Sequence, residues 1–239
     1  EQALTDQIRL MDFEPYEVST DVTAAPAIDV DKIAADIIGD PVNATVSKKD
    51  GKTIIAGKAG VSFDTDKARE IIGDGSQETY TIPVTITQPS ITAETLKAKL
   101  FHDTLARTAT NLDEGNAPRT NNIRLAAKAI NGTILNPGDE FSYNGTVGER
   151  TAARGYQEAH AYSGGKIIDE FGGGVCQPSS TLYMAVLRAD LKVTERHNHS
   201  FTVSYTPLGE DATVDYGNLD FRFVNNTAYP VKILAEQTD

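Results

Sequence analysis

A single cysteine, Cys176, stands in the run Gly172-Gly-Gly-Val-Cys-Gln-Pro-Ser-Ser180. The residue types around it suit a thiol nucleophile. Pro178 fits the first position of a helix, where its missing N–H is no loss. Cys176 then lies one or two residues ahead of the helix, facing unpaired backbone N–H groups, and that end favours thiolate over thiol. Gly172, Gly173 and Gly174 keep side chains off the approach, so that another backbone can come close. Ser179 and Ser180 can add hydroxyl donors from the first turn. Twenty residues after the cysteine begins Arg196-His-Asn-His-Ser200. On a strand, His197 and His199 point to one face, so either imidazole can serve as the base and the spacing does not choose. Asp211, Asp215 or Asp220 can orient it. Cysteine at a helix start, then histidine and acid on following strands, is the generic order of cysteine amidases and peptidases.

Blander chemistry is open to the same residues. A lone thiol also serves as a small packed hydrophobe. The two histidines also read as a half-buried strand pair bonded to nearby backbone. Zinc held by Cys176, His197, His199 and an aspartate has the right ligand types but not the tight spacing of zinc motifs, so no metal or cofactor is expected. Arg150 and Arg154 flank a loop and can grip a carboxylate bidentately, or simply sit in a solvated turn. His102 reads as a helix-surface residue and His160 as structural or on a rim. Phosphate loops, dinucleotide fingerprints and serine elbows are absent.

The elements that must position these residues follow from periodicity and punctuation. Before residue 90 a strand is expected over 16–23, then a helix after Asp29 carrying Ile33, Ile37 and Ile38. A hairpin with a type I′ turn is expected around Asp50-Gly51, a second helix from Asp64 or Thr65, and a strand over 79–87 interrupted by Pro83. The order is β-α-β-β-α-β. Beyond it a helix starts at Thr92, a polar loop spans 108–121, and a helix capped by Asn121 or Asn122 buries Ile123, Ala126, Ala127 and Ile130. A helix over 178–190 precedes strands near 192–194, 200–205, 213–215, 219–224 and 231–234. The fold class is α+β, with a small domain over 1–90 and a mixed α+β domain over 91–239, whose helices pack on an antiparallel-rich sheet.

The 239 residues carry 22 basic and 34 acidic side chains, a formal net charge of −12. That field repels nucleic acid and anionic lipid. One cysteine excludes an intramolecular disulfide, and no apolar run reaches the ~18–20 residues of a membrane span. The chain starts at Glu1 without a methionine, as a processed remainder would, so an export signal or anchor is expected to lie outside it.

Several motifs in order resemble the VanW family, named for an accessory protein of glycopeptide-resistance clusters. They are Phe141-Ser-Tyr-Asn-Gly-Thr-Val-Gly-Glu-Arg-Thr-Ala-Ala-Arg-Gly-Tyr156, the run from Gly172 to Tyr183, Glu195 to Ser200, Asp211 to Gly217 and Leu219 to Asn226. Residues 1–90 resemble a YoaR-like peptidoglycan-binding domain. The resemblance implies an exported, membrane-anchored cell-envelope protein of Gram-positive bacteria with peptidoglycan as its partner. It sets Cys176, Gln177, His197, His199, Asp211 and Asp220 on the family's characteristic positions, and brings Tyr156 into the substrate-binding set with Arg150 and the glycines. Pro178 departs from the small aliphatic residue expected there.

Overall fold

In chain order the elements are α1 (Val30–Ile37), β1 (Thr45–Val46), β2 (Ile54–Ile55), β3 (Gly60–Ser62), α2 (Thr65–Ile72) and β4 (Thr85–Thr87). Then come α3 (Ala93–Lys99), α4 (Ala117–Ile130), β5 (Ile134–Leu135), β6 (Glu140–Ser142) and α5 (Tyr143–Val147). The last are β7 (Glu158–Ser163), β8 (Lys166–Phe171), α6 (Cys176–Arg188), β9 (Lys192–Glu195), β10 (Arg222–Val224) and β11 (Val231–Lys232). This computed structural model describes residues 28–112, 115–163 and 166–238. The strand expected at 16–23 lies outside them.

Side-chain caps decide where the helices begin. Asp29, Asp64 and Thr92 each accept a first-turn N–H, opening α1, α2 and α3 where the sequence predicts. Two starts fall earlier than expected. Asn116, not Asn121 or Asn122, caps α4, with Pro118 inside the first turn. Cys176 is the first residue of α6 and Pro178 the third. Both shifts have one cause: no N–H in a helix's first turn has an intrahelical partner, so proline is tolerated throughout that turn.

The described residues form two compact units, one from those in 28–40 and 59–87, the other from those in 41–58 and 88–238. This division differs from 1–90 and 91–239. In the first unit β3 pairs antiparallel with β4. Pro83 confines that strand to the residues after it. In the second, β1 and β2 form an antiparallel hairpin. Only Gly51 has positive φ there, at 64°, so the type I′ turn is not formed. Asp50 instead accepts the N–H groups of Lys52 and Thr53 at 3.0 Å each, an Asx turn that holds it at ordinary φ.

The second unit has an antiparallel sheet ordered β6-β10-β9, with separate antiparallel pairs β5–β11 and β7–β8. The fold is α+β, as expected. Its core joins Phe141, Phe221 and Phe223 of the sheet region to Ile130 of α4 and to Tyr183 and Val186 of α6. Residues 200–205 pair in no strand, and 213–215 make only isolated bridges. No helix among the described residues is long and apolar enough to cross a membrane.

The glycine turn ahead of α6 is packed against the chain's own groups. A Cβ on Gly173 meets the Ala159 carbonyl oxygen at 2.2 Å, one on Gly172 meets Arg150 Cβ at 2.6 Å, and one on Gly174 meets Arg119 Cγ at 2.7 Å. At Gly173 the obstacle is the backbone of β7, which cannot yield without disturbing the hairpin. Gly173→Ala is therefore expected to lower stability by about 3 kcal/mol, the upper end of overpacking costs, with a urea midpoint shift as readout. A midpoint unchanged from the wild-type protein contradicts the packing described.

Candidate functional site

Two segments bring the site together. One is the glycine turn and the start of α6, fixed by Asn122. This residue is fully buried, and its Nδ2 donates to the carbonyls of Gln157 and Gly173 at 2.8 and 3.0 Å. The other is 211–214, tied to α6 through Ser180, whose Oγ accepts the Ala212 N–H at 3.0 Å and donates to the Cys176 carbonyl at 2.7 Å. Cys176 Sγ thus lies 3.4 Å from the Val214 nitrogen and 3.5 Å from Thr213 Oγ1.

His199 completes the arrangement. Its Nδ1 is 2.6 Å from Asp211 Oδ2, and its backbone N–H donates to the same oxygen at 2.7 Å. Asp211 also accepts from Arg196 at 2.9 Å. A carboxylate can only accept, so the ring proton sits on Nδ1 and Nε2 faces the other way. Tyr205 Oη lies 3.3 Å from that Nε2, with its ring edge-on to the imidazole.

The electrostatics follow from this placement. Burial pushes the Cys176 thiol up, but hydrogen bonding to His199, Thr213 and the Val214 N–H, together with the charge on His199, carries it below the ordinary cysteine value. Burial pulls His199 down, and the thiol and Asp211 more than offset it, so the imidazole ends above its ordinary value. Asp211 is raised by burial and lowered more by the His199 N–H, its ring and Arg196, ending below the usual carboxylate range. All three shifts favour thiolate, imidazolium and carboxylate together. Such a trio can attack an acyl carbon and then protonate the leaving amine.

Several candidate residues have other positions. His197 turns its ring to Glu195 at 3.1 Å, because β9 ends at Glu195 and the two histidines share no strand face. Asp220 accepts from Ser142 Oγ, the Asn144 and Phe221 N–H groups and Arg222 Nε at 2.6–2.9 Å, which binds β10 to α5 and leaves none of it facing His199. Asp215 accepts from Asn218. Ser179 and Ser180 are fully buried and Tyr156 belongs to the core. Gln177 clamps the 108–112 segment, accepting from Arg119 at 2.7 Å and donating to the Asn111 carbonyl at 2.8 Å. Its own N–H is bonded to Gly174 O, and that of Ser179 reaches Val175 O. The row of unpaired amides expected near the thiol is thus largely used within the turn. Nor is there a bare glycine floor, since those glycines accommodate Arg150, β7 and Arg119. Arg154 is exposed and bonded to the Glu149 carbonyl.

Tyr205, Arg119, Thr213 and Asn122 are placed at the site by the structure alone. Of these, Thr213 lies inside the Asp211–Gly217 motif, Tyr205 comes six residues after His199, and Asn122 is expected from sequence only as a helix cap. The described residues hold no group of three His, Cys, Asp or Glu poised for a metal, and the zinc set fails because His197 turns away. A cavity of about 340 Å³ opens on the His199 side, lined by Arg196, His199, Phe201, Thr206, Leu208 and Asp211 among others; Cys176 does not line it.

Residues 118–239 match the family model described as VanW like protein. Over 203 residues the chain is 35% identical to the YoaR protein of Bacillus subtilis, covering 83% of this chain and 66% of that one. Over 111 residues it is 32% identical to vancomycin B-type resistance protein VanW of Enterococcus faecalis, covering 44% and 40%. The chain thus spans 66% of the length of one relative and 40% of the other. No solved structure matches it. The glycine turn, the cysteine and the His199–Asp211 pair all fall inside the matched region, and the chain belongs to the VanW-like protein family.

Proposed function

We propose that this protein works at the cell surface on peptidoglycan, and that its second unit is a cysteine-dependent acyl-transfer site acting on peptide stems. The observation that carries the reading is the His199 imidazole, held 2.6 Å from Asp211 and close enough to Cys176 to draw the thiol below its ordinary value. A packed structural cysteine has no need of a base that a carboxylate orients. In this reading the Cys176 thiolate attacks a stem amide, the C–S bond forms as the C–N bond breaks, and His199 gives its proton to the departing amine. Water or an acceptor amine then releases the thiol, giving hydrolysis or transpeptidation. The name of the Enterococcus relative, a vancomycin resistance protein, supports a cell-envelope setting. In the full-length protein an anchor would hold the chain at the wall, and the segment before residue 90 would contribute binding. A chain of charge −12 would recognise its polymer through hydrogen bonds and stem amines rather than long-range attraction to anionic glycans.

The test is intact-mass analysis of the protein incubated with purified stem peptides. An acyl adduct on Cys176, released on adding water or amine and missing in Cys176→Ala, is expected. Sacculus binding that survives Cys176→Ala, with neither adduct nor product from the wild-type chain, leaves a binding protein and overturns the enzymatic part.

A further inference from the structure

Arg150 is the anomaly of the second unit. It is 9% exposed, and its Nε, Nη1 and Nη2 are buried with no hydrogen-bond partner among the described residues. A buried guanidinium is strongly disfavoured unless paired. The lack of a partner is not for want of acids in a chain of charge −12. Arg196 meets Asp211, and Arg222 meets Asp220, Glu195 and Glu140. Arg150 has only aromatic faces, the rings of Tyr143 and Tyr216 at 5.7 and 5.8 Å from its guanidinium carbon. Those faces give partial compensation for the charge and none for its five N–H donors.

The two walls of this cage differ. Tyr143 is fully buried and its hydroxyl donates to the Val175 carbonyl at 2.9 Å, one residue before Cys176. Tyr216 is 49% exposed, on a short turn closed by the Asp215–Leu219 bridge and carrying Gly217 at φ 85°. Val214, two residues before Tyr216, is the residue whose N–H meets the sulfur. The stem of Arg150 runs under Gly172, where a Cβ would lie 2.6 Å from its own. The segments that hold the sulfur therefore also hold the guanidinium, one wall fully buried and the other half-exposed to solvent.

We propose that Arg150 is the carboxylate subsite of the thiol site, receiving the free C-terminal carboxylate of a peptide stem once Tyr216 swings aside. This rests on the acyl-transfer reading and narrows its substrate to chains with a free acid terminus. A planar carboxylate satisfies a guanidinium fork with two parallel N–H bonds, which neither a carbonyl nor a neutral amide does. The thiolate then attacks an amide upstream of the held terminus. The C–S bond forms, the C–N bond breaks, the His199 proton passes to the departing amine, and the terminal fragment leaves with its carboxylate still on Arg150.

The test measures binding first, so that it does not depend on turnover. A stem pentapeptide with a free C-terminal carboxylate and the same peptide as its carboxamide are titrated calorimetrically into the Cys176→Ala chain. The acid is expected to bind at least about tenfold tighter, as loss of a charge-paired bidentate contact implies. Arg150→Gln on that background should erase the preference. If that variant does not fold, Arg150→Lys, which keeps the charge without the fork, should reduce it. Equal binding of the two peptides, a preference that survives the arginine substitution, or binding of neither overturns the proposal. The two readings fail differently. Acyl adducts formed equally from acid and carboxamide would leave the enzyme without this subsite, whereas an Arg150-dependent preference with no adduct would leave the subsite without the enzyme.

Discussion

Asp211→Ala is expected to destabilise the second unit by about 3 kcal/mol, since it strips the partner at once from the His199 ring, whose side chain is 7% exposed, and from the half-buried Arg196. The carboxyl group accepts from the His199 N–H, sits at hydrogen-bond distance from its Nδ1 and pairs with Arg196, with a side chain only 12% exposed. The pH dependence of this contribution has a definite sign. Asp211 is depressed in the folded state, so its share is present above the ordinary carboxylate value and is lost as pH falls through the depressed one. His199 is raised, so its share is present below its ordinary value of 6.5 and is lost as pH rises through the elevated one. The difference in unfolding free energy between wild type and Asp211→Ala should therefore be widest in mild acid, narrowing toward strong acid and toward alkaline pH. Urea titrations across that range check it; a difference independent of pH contradicts the coupling.

Substituting His199 carries the second large effect. On the proposed acyl-transfer reading, His199→Ala is expected to lower the rate by about 10²–10⁴-fold, because it removes both the base for the thiol and the donor to the leaving amine. His197→Ala should leave the rate within a few fold, its ring being bonded to Glu195. Single-turnover rates with one stem peptide compare them. Equal losses in both variants would mean that the histidines act through strand structure and not through the thiol.

Much of this arrangement is legible in local sequence. The cysteine, the glycine turn, the His-x-His pair and the trailing acids are all contiguous signals, and caps such as Asp29, Asp64 and Thr92 need only neighbouring N–H groups. The choice among histidines is not local. It depends on β9 ending at Glu195, and that end is set by pairing with β10, whose register shifts between Arg222 and Phe223. The choice among acids is equally distant. Asp220 is taken by Ser142 and Asn144, more than seventy residues earlier, which leaves Asp211 for His199. The role of the glycines is hidden for the same reason. Gly173 reads as an open approach until the carbonyl of Ala159 is seen where its Cβ would be. Asn122, expected as a possible cap, becomes a fully buried clamp because the real cap lies at Asn116. Long-range contacts decided each of these, and periodicity carries no record of them.

The central claim is that His199 holds Cys176 as a thiolate against the cost of burying it. Iodoacetamide alkylation of Cys176, followed as a rate against pH in the wild-type and His199→Ala chains, tests it most directly. The wild-type midpoint should fall below the ordinary cysteine value of 9.0 and rise when the imidazole is removed. A wild-type midpoint at or above that value, unmoved by His199→Ala, would show that burial alone governs the sulfur and would contradict the account.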